Sequence, residues 1–102
     1  MTVKDLKTMT DAELLTAIKE SLNINGAQFD MTLQRYIDEV KAYLISAGVM
    51  VDVVNSSLSV GCIARGVADM WNYGNGDTKL SEYFYQRAEQ LRGIIAEVTD
   101  NE

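Results

Sequence analysis

The sequence contains no histidine, no proline and a single cysteine. Without histidine, the commonest general base and the commonest metal ligand are missing together, so Ser-His-Asp, Cys-His and histidine-bearing zinc sites cannot be built within one chain. One cysteine, Cys62, allows no internal disulfide, which suits a reducing compartment. No proline means that helix ends must be set by glycines, caps and polar residues. Basic clusters are missing as well. The net charge is −6, and nothing in the chain gathers the lysines and arginines that neutralise phosphates, so gripping DNA is not expected. Apolar stretches are broken by Asp52, Arg65 and Asp69 before they reach the length of a membrane span, and no basic segment followed by an apolar one opens the chain, so neither a span nor a signal peptide is expected.

What is present fits one ordinary domain over 1–102. The chain has 102 residues, 47% apolar and 24% charged, a balance that supports folding around one modest core. Residues 1–9 and 99–102 are expected to be flexible. No internal repeat or low-complexity tract is visible.

Four helices are predicted. Thr10 with Glu13 has the spacing of a capping box, and Leu14, Leu15, Ile18 and Leu22 follow at helical period, with a stop between Asn23 and Gly26. A second helix runs from Ala27 or Asp30 to Ala47, carrying Leu33, Tyr36, Ile37, Val40, Leu44 and Ala47 on one stripe. Arg35, Asp38, Glu39 and Lys41 lie on the other side, and Gly48 ends it. The third begins near Ser56 or Ser57 and carries Val60, Ile63, Ala64, Val67, Ala68 and Trp71. Its internal Gly61 and Gly66 each cost about 1 kcal/mol relative to alanine, which close helix approach would offset. It stops at Gly74-Asn75-Gly76-Asp77. The fourth spans Lys79 or Ser81 to Val98, with Ser81 available as N-cap and Leu80, Phe84, Ala88, Leu91 and Ile95 inward. Between the second and third helices, the β-branched run Val49 to Val54 favours extended backbone. The fold class is therefore all-α, a small four-helix bundle with an extended apolar loop between helices 2 and 3.

Candidate chemistry is sparse. Gly74-Asn75-Gly76 does not complete a dinucleotide-binding fingerprint, because Lys79 stands at the third glycine position and no strand precedes it. Asn72 to Asp77 lacks the alternating ligands and closing glutamate of a calcium loop. Asp38 and Glu39 are consecutive on a helix and point apart, which suits a solvated face. Cys62, mid-helix among apolar residues, reads as a small buried hydrophobe. No catalytic, cofactor-binding or metal-binding residue is assigned, and an enzyme is not expected. The aromatic group Trp71, Tyr73, Tyr83, Phe84 and Tyr85 is the most distinctive feature. Tyr83 and Tyr85 cannot share a helix face with Phe84, so at least one ring should point outward. The candidate protein-interface residues are Val51, Val53, Tyr73, Tyr83 and Tyr85.

The order of local patterns resembles the head-tail connector (adaptor) proteins of tailed bacteriophages and prophages. It runs through Leu14-Leu15, Ile18-Lys19, Leu22-Asn23-Ile24-Asn25 and Leu33-x-x-Tyr36-Ile37. It continues with Ala68-Asp69-Met70-Trp71-Asn72-Tyr73-Gly74, Gly76-Asp77, Leu80-Ser81 and Gln90-Leu91-Arg92. The likeness covers about Leu6 to Ile95, and the valine-rich Gly48 to Ser57 segment matches no fixed motif. The resemblance implies a ring of about a dozen copies beneath the portal, which extends the DNA channel and presents a surface to a stopper or tail protein; closure through complementary lateral faces is compatible with a monomer in dilute solution. It implies a protein of the virion, assembled in the host bacterial cytoplasm, with no cofactor, no catalysis, no membrane contact and no sequence-specific DNA binding. A small helical binding module or a transcriptional regulator of prophage origin is the alternative; it would need a basic recognition helix, which the third and fourth helices lack.

Overall fold

The computed structural model describes residues 2–73, though not the Tyr73 side chain, and 80–96. The protein is mostly helical. Helix α1 is Asp11–Leu22, α2 is Asp30–Ser46, α3 is a single turn at Val51–Val54, α4 is Val60–Tyr73 and α5 is Glu82–Arg92. A short 3₁₀ turn, Ser57–Ser59, leads into α4. Strands β1 (Thr2–Val3) and β2 (Ile95–Ala96) pair in parallel, with Thr2 opposite Ile95 and Val3 opposite Ala96.

The expected capping box is formed. The Glu13 amide donates to Thr10 Oγ1 at 3.0 Å and the Thr10 amide donates to Glu13 Oε1 at 2.9 Å. The backbone N–H of Thr10 holds the Glu13 carboxyl below its ordinary range. Asn23 closes α1 in the left-handed conformation, with φ of 57°. Lys19 then bridges to Asp30 at 2.8 Å, joining the end of α1 to the start of α2. Helix α2 buries Leu33, Ile37, Val40 and Leu44, the stripe that the sequence marks.

Helix α4 is the hub, lying against α1, α2 and α5. Its fully buried face is Cys62, Ile63 and Val67, rotated slightly from the stripe read in the sequence, which leaves Val60, Ala64, Ala68 and Trp71 half-buried. The two glycines of α4 behave oppositely. A Cβ on Gly66 would sit 2.9 Å from Phe84 Cε1 and 3.0 Å from Val40 Cγ2, whereas one on Gly61 would meet nothing within 4 Å. Close approach therefore accounts for Gly66 and not for Gly61. Replacing Gly61 by alanine should raise stability by about 1 kcal/mol through helix propensity, measured as a higher urea midpoint with an unchanged m-value.

Three expectations are corrected. The Gly48 to Ser57 segment is not an extended apolar loop. Met50 and Ser56 are extended, but between them Val51–Val54 closes one helical turn through amide donation from Val54 to the Met50 carbonyl at 2.9 Å. Burial overrides β-propensity here, because the turn places Val53 and Val54 together in the core beside Val49. Its carbonyls are satisfied by serine hydroxyls, Ser56 donating to Val53 at 2.8 Å and Ser59 to Val54 at 2.5 Å. Helix α5 stops at Arg92 rather than Val98, with Gly93 as its C-cap, and Ile95 is a half-exposed strand residue rather than an inward helical one. Lys41 is not a solvated-face residue. Its ammonium lies 3.2 Å from Asn55 Oδ1 and 3.8 Å from Asp11 Oδ1, drawing α1, α2 and the end of α3 together.

Residues 2–9, expected to be flexible, form backbone pairings at both ends. Besides β1–β2, the Met9 amide donates to the Asn55 carbonyl and the Ser57 amide to the Lys7 carbonyl, each at 2.8 Å. Residues 99–102 and the Gly74 to Asp77 stop lie outside the described residues.

Candidate protein-interaction surfaces

Phe84 fixes the geometry of the aromatic region. Ser81 caps α5 by accepting from the Phe84 amide at 3.2 Å, and the first turn thereby drives the Phe84 ring into the core against Gly66. Neighbouring positions on α5 must then diverge. Tyr83 is 57% exposed and Tyr85 is 44% exposed, so both rings point outward as the sequence requires of at least one. Tyr85 is not isolated. Its ring centroid lies 5.8 Å from that of Tyr43 on α2 and 5.6 Å from that of Phe84, and Tyr43 in turn lies 5.6 Å from Phe84. A buried phenylalanine thus supports two partly exposed tyrosines, whose apolar bodies and polar tips suit an interface. Beside them Tyr43, Val40, Met70 and Leu80 line an open apolar groove of about 510 Å³, with Glu39 on its wall.

A second apolar surface lies at the opposite end of α2. Met31 is 89% exposed, and Phe29 packs edge-on to Trp71 with centroids 5.1 Å apart. Positions 29–31 and 43–45 are separated by about 14 residues, roughly 21 Å along a helix. The two patches are therefore distinct surfaces.

The remaining candidates divide. Val51 is exposed, beside Asp52 on the outer side of α3. Val53 is fully buried with Val54 in the chain's own core, so it has no side-chain surface for a partner. Tyr73 lies outside the residues whose side chains are described.

A buried polar connection between α4 and α5 was not anticipated. Asp69 is 3% exposed. Its Oδ2 accepts from the Ser81 amide at 2.8 Å, and its Oδ1 is 3.4 Å from Arg65 Nε, which also donates to Ser81 Oγ at 3.3 Å. One carboxylate thus ties α4 to the start of α5. The signal was available: Asp69 follows Cys62 by seven positions and Gly66 by three, which places a carboxylate on the inward stripe.

Cys62 is fully buried, its thiol 3.8 Å from the Phe84 carbonyl oxygen, and burial pushes its pKa up to about 11. On the order of one thiol in a thousand is then ionised at pH 8. A disulfide reagent should leave the native chain unmodified over minutes and label it stoichiometrically in denaturant; rapid labelling of native protein would contradict this burial. Among the described residues no group of three or more acidic, histidine or cysteine side chains is arranged to hold a metal ion, and no helix is long and apolar enough to cross a membrane.

Among protein families, curated proteins and solved structures, none matches the chain.

Proposed function

We propose that the protein is a structural component of head completion in a tailed bacteriophage or prophage. Its copies form a ring of about a dozen that joins the portal to a stopper or tail protein and extends the DNA channel. The observation that carries this reading is the ordered sequence pattern from Leu14 to Arg92, with its sharpest part between Ala68 and Arg92. In keeping with it, the chain is mostly helical, and Trp71 and Phe84 stand at the junction of α4 and α5. The finer reading of the fold is a connector-like four-helix bundle made by α1, α2, α4 and α5.

The physical demands of the role fit the surfaces described. A closed ring is heterologous, so each copy needs two different lateral faces. The Phe29–Met31 end of α2 and the Tyr43–Tyr85 end supply two such faces on one subunit. A channel lining must let a polyanion pass without adhering, which favours carboxylates. The outer side of α1 meets that demand best: Asp11, Glu13 and Glu20 are exposed there among Ala12 and Thr16, and the helix's one cation, Lys19, is engaged with Asp30. We assign this face to the lumen.

Reversing the charge of the lining tests the assignment. Rings assembled from Thr16→Lys/Glu20→Lys chains should retain duplex DNA at low salt, while native rings let it pass. Two added cations per subunit should make retention fall steeply between about 50 and 200 mM salt. Rings that form normally and still ignore DNA would place the lining elsewhere.

A further inference from the structure

Residues 2–9 lie across the body as a strap secured at its two ends. One end is the β1–β2 pairing of Thr2 with Ile95 and Val3 with Ala96. The other is the Thr8–Ser56 bridge, with the Met9 amide on the Asn55 carbonyl and the Ser57 amide on the Lys7 carbonyl. Between these attachments the strap is loosely packed. A hollow of about 380 Å³, lined mainly by polar groups including Asp5, Thr8, Asp52 and Asn55, separates it from α3. Its apolar residues Val3, Leu6 and Met9 are only half-buried. The strap supplies none of the core's fully buried side chains, all of which lie between Leu14 and Leu91.

We propose that this strap exchanges between copies of the chain, residues 2–9 of one copy occupying on a neighbour the seat they fill on their own body. Lifting the strap leaves the core intact but strands the Asn55 carbonyl, the Ser57 amide and the backbone of Ile95 and Ala96. Backbone groups removed from their partners require new ones. The segment that satisfies all of them in register is the strap itself, so a second copy is the occupant the seat already fits. Such exchange adds no new interface chemistry and is a low-cost route to association. Eight extended residues reach about 26 Å, enough to cross to an adjacent subunit. Tethering gives the chain's own strap an effective concentration on the order of millimolar. In dilute solution it therefore stays at home, and it exchanges when copies are concentrated or held side by side. The proposal stands whether or not the assembled form is a connector ring.

The single substitutions T2C and I95C, made in chains whose own Cys62 is buried and mixed in a glutathione redox buffer, test it. Each chain alone cannot close a β1–β2 disulfide, so a T2C–I95C heterodimer requires a strap seated on another copy. The heterodimer should exceed both homodimers, and its share should rise as the chain concentration approaches about 1 mM. The double variant T2C/I95C should close within the chain at about 10 µM and link between chains at the higher concentration. Closure within the chain at every concentration, with no excess of heterodimer, would overturn the proposal. Should the cysteines disturb the pairing, isotope-filtered NOEs on an equal mixture of labelled and unlabelled native chains at about 1 mM decide the matter. Contacts between Val3 of one copy and Ala96 of another support exchange, and contacts confined to single copies refute it.

Discussion

Truncating Phe84 to alanine is expected to cost about 3–5 kcal/mol, a large part of the 5–15 kcal/mol typical of a whole domain. Phe84 is fully buried at the meeting point of α2, α4 and α5, so its loss leaves a cavity that none of three helices can close alone. The paired substitution at Gly66 tests the cause. Alanine gains about 1 kcal/mol from helix propensity, but its Cβ would lie 2.9 Å from Phe84 Cε1, and overpacking of this kind costs about 1–3 kcal/mol. Gly66→Ala should therefore be neutral to destabilising where Gly61→Ala is stabilising. Combined with Phe84→Leu, it should cost less than the two single changes added together, since the smaller side chain vacates the clashing space. Urea unfolding of the four-member cycle measures the coupling. Additivity within about 0.3 kcal/mol would show that the glycine is not there to admit the ring.

The second large effect concerns Asp69. Asp69→Ala removes the buried acceptor of the Ser81 amide and the partner of Arg65, and should cost about 2–3 kcal/mol. Arg65 is half-exposed and can turn to solvent, so the cost arises mainly from the orphaned amide and the loosened α5 cap. Asp69→Asn retains an acceptor oxygen and should recover about half of the loss. For a domain of this size, 1 kcal/mol corresponds to a shift of about 4–8 °C in melting temperature. Hydrogen exchange should show the α5 amides from Phe84 onward losing protection before those of α2 in Asp69→Ala. Uniform loss across both helices would mean that the carboxylate does not act as a local tie.

These two contacts show what could be read from the chain beforehand. The helices were legible because their stripes repeat at the helical period and their ends carry local chemistry: the Thr10–Glu13 box, Asn23, Gly48 and Ser81 act within a few residues of one another. Gly66 was legible as a point of close approach, while Gly61, identical in sequence terms, has no neighbour. Only the rotation of α4 against Phe84 distinguishes them, and that is a tertiary fact. The Val49–Val54 segment was misread for a related reason. Its β-branched residues prefer extended backbone, but burying Val53 and Val54 together outweighs a preference worth a few tenths of a kcal/mol per residue. The N-terminal strap and β2 were invisible, since two-residue strands joined across more than 90 positions leave no periodicity.

The candidate surfaces follow the same division. Outward placement of Tyr83 and Tyr85 follows from adjacency to Phe84 on one helix, which is local. The support of Tyr85 by Tyr43 and the burial of Val53 depend on which elements meet. Asp69 was overlooked because it was read as an interruption in an apolar run; its place on the inward stripe marked it as a carboxylate that had to find donors.

The central claim is that copies of this chain close into a ring under a portal. Negative-stain microscopy of the purified chain mixed with a tailed-phage portal protein tests that most directly. The account predicts an added ring of density on the portal's exit side, widening with an attached tag and lost when Tyr43 and Tyr85 are replaced by aspartate in a chain that still folds. Portals that remain unchanged at saturating concentrations of folded, monomeric chain would contradict it.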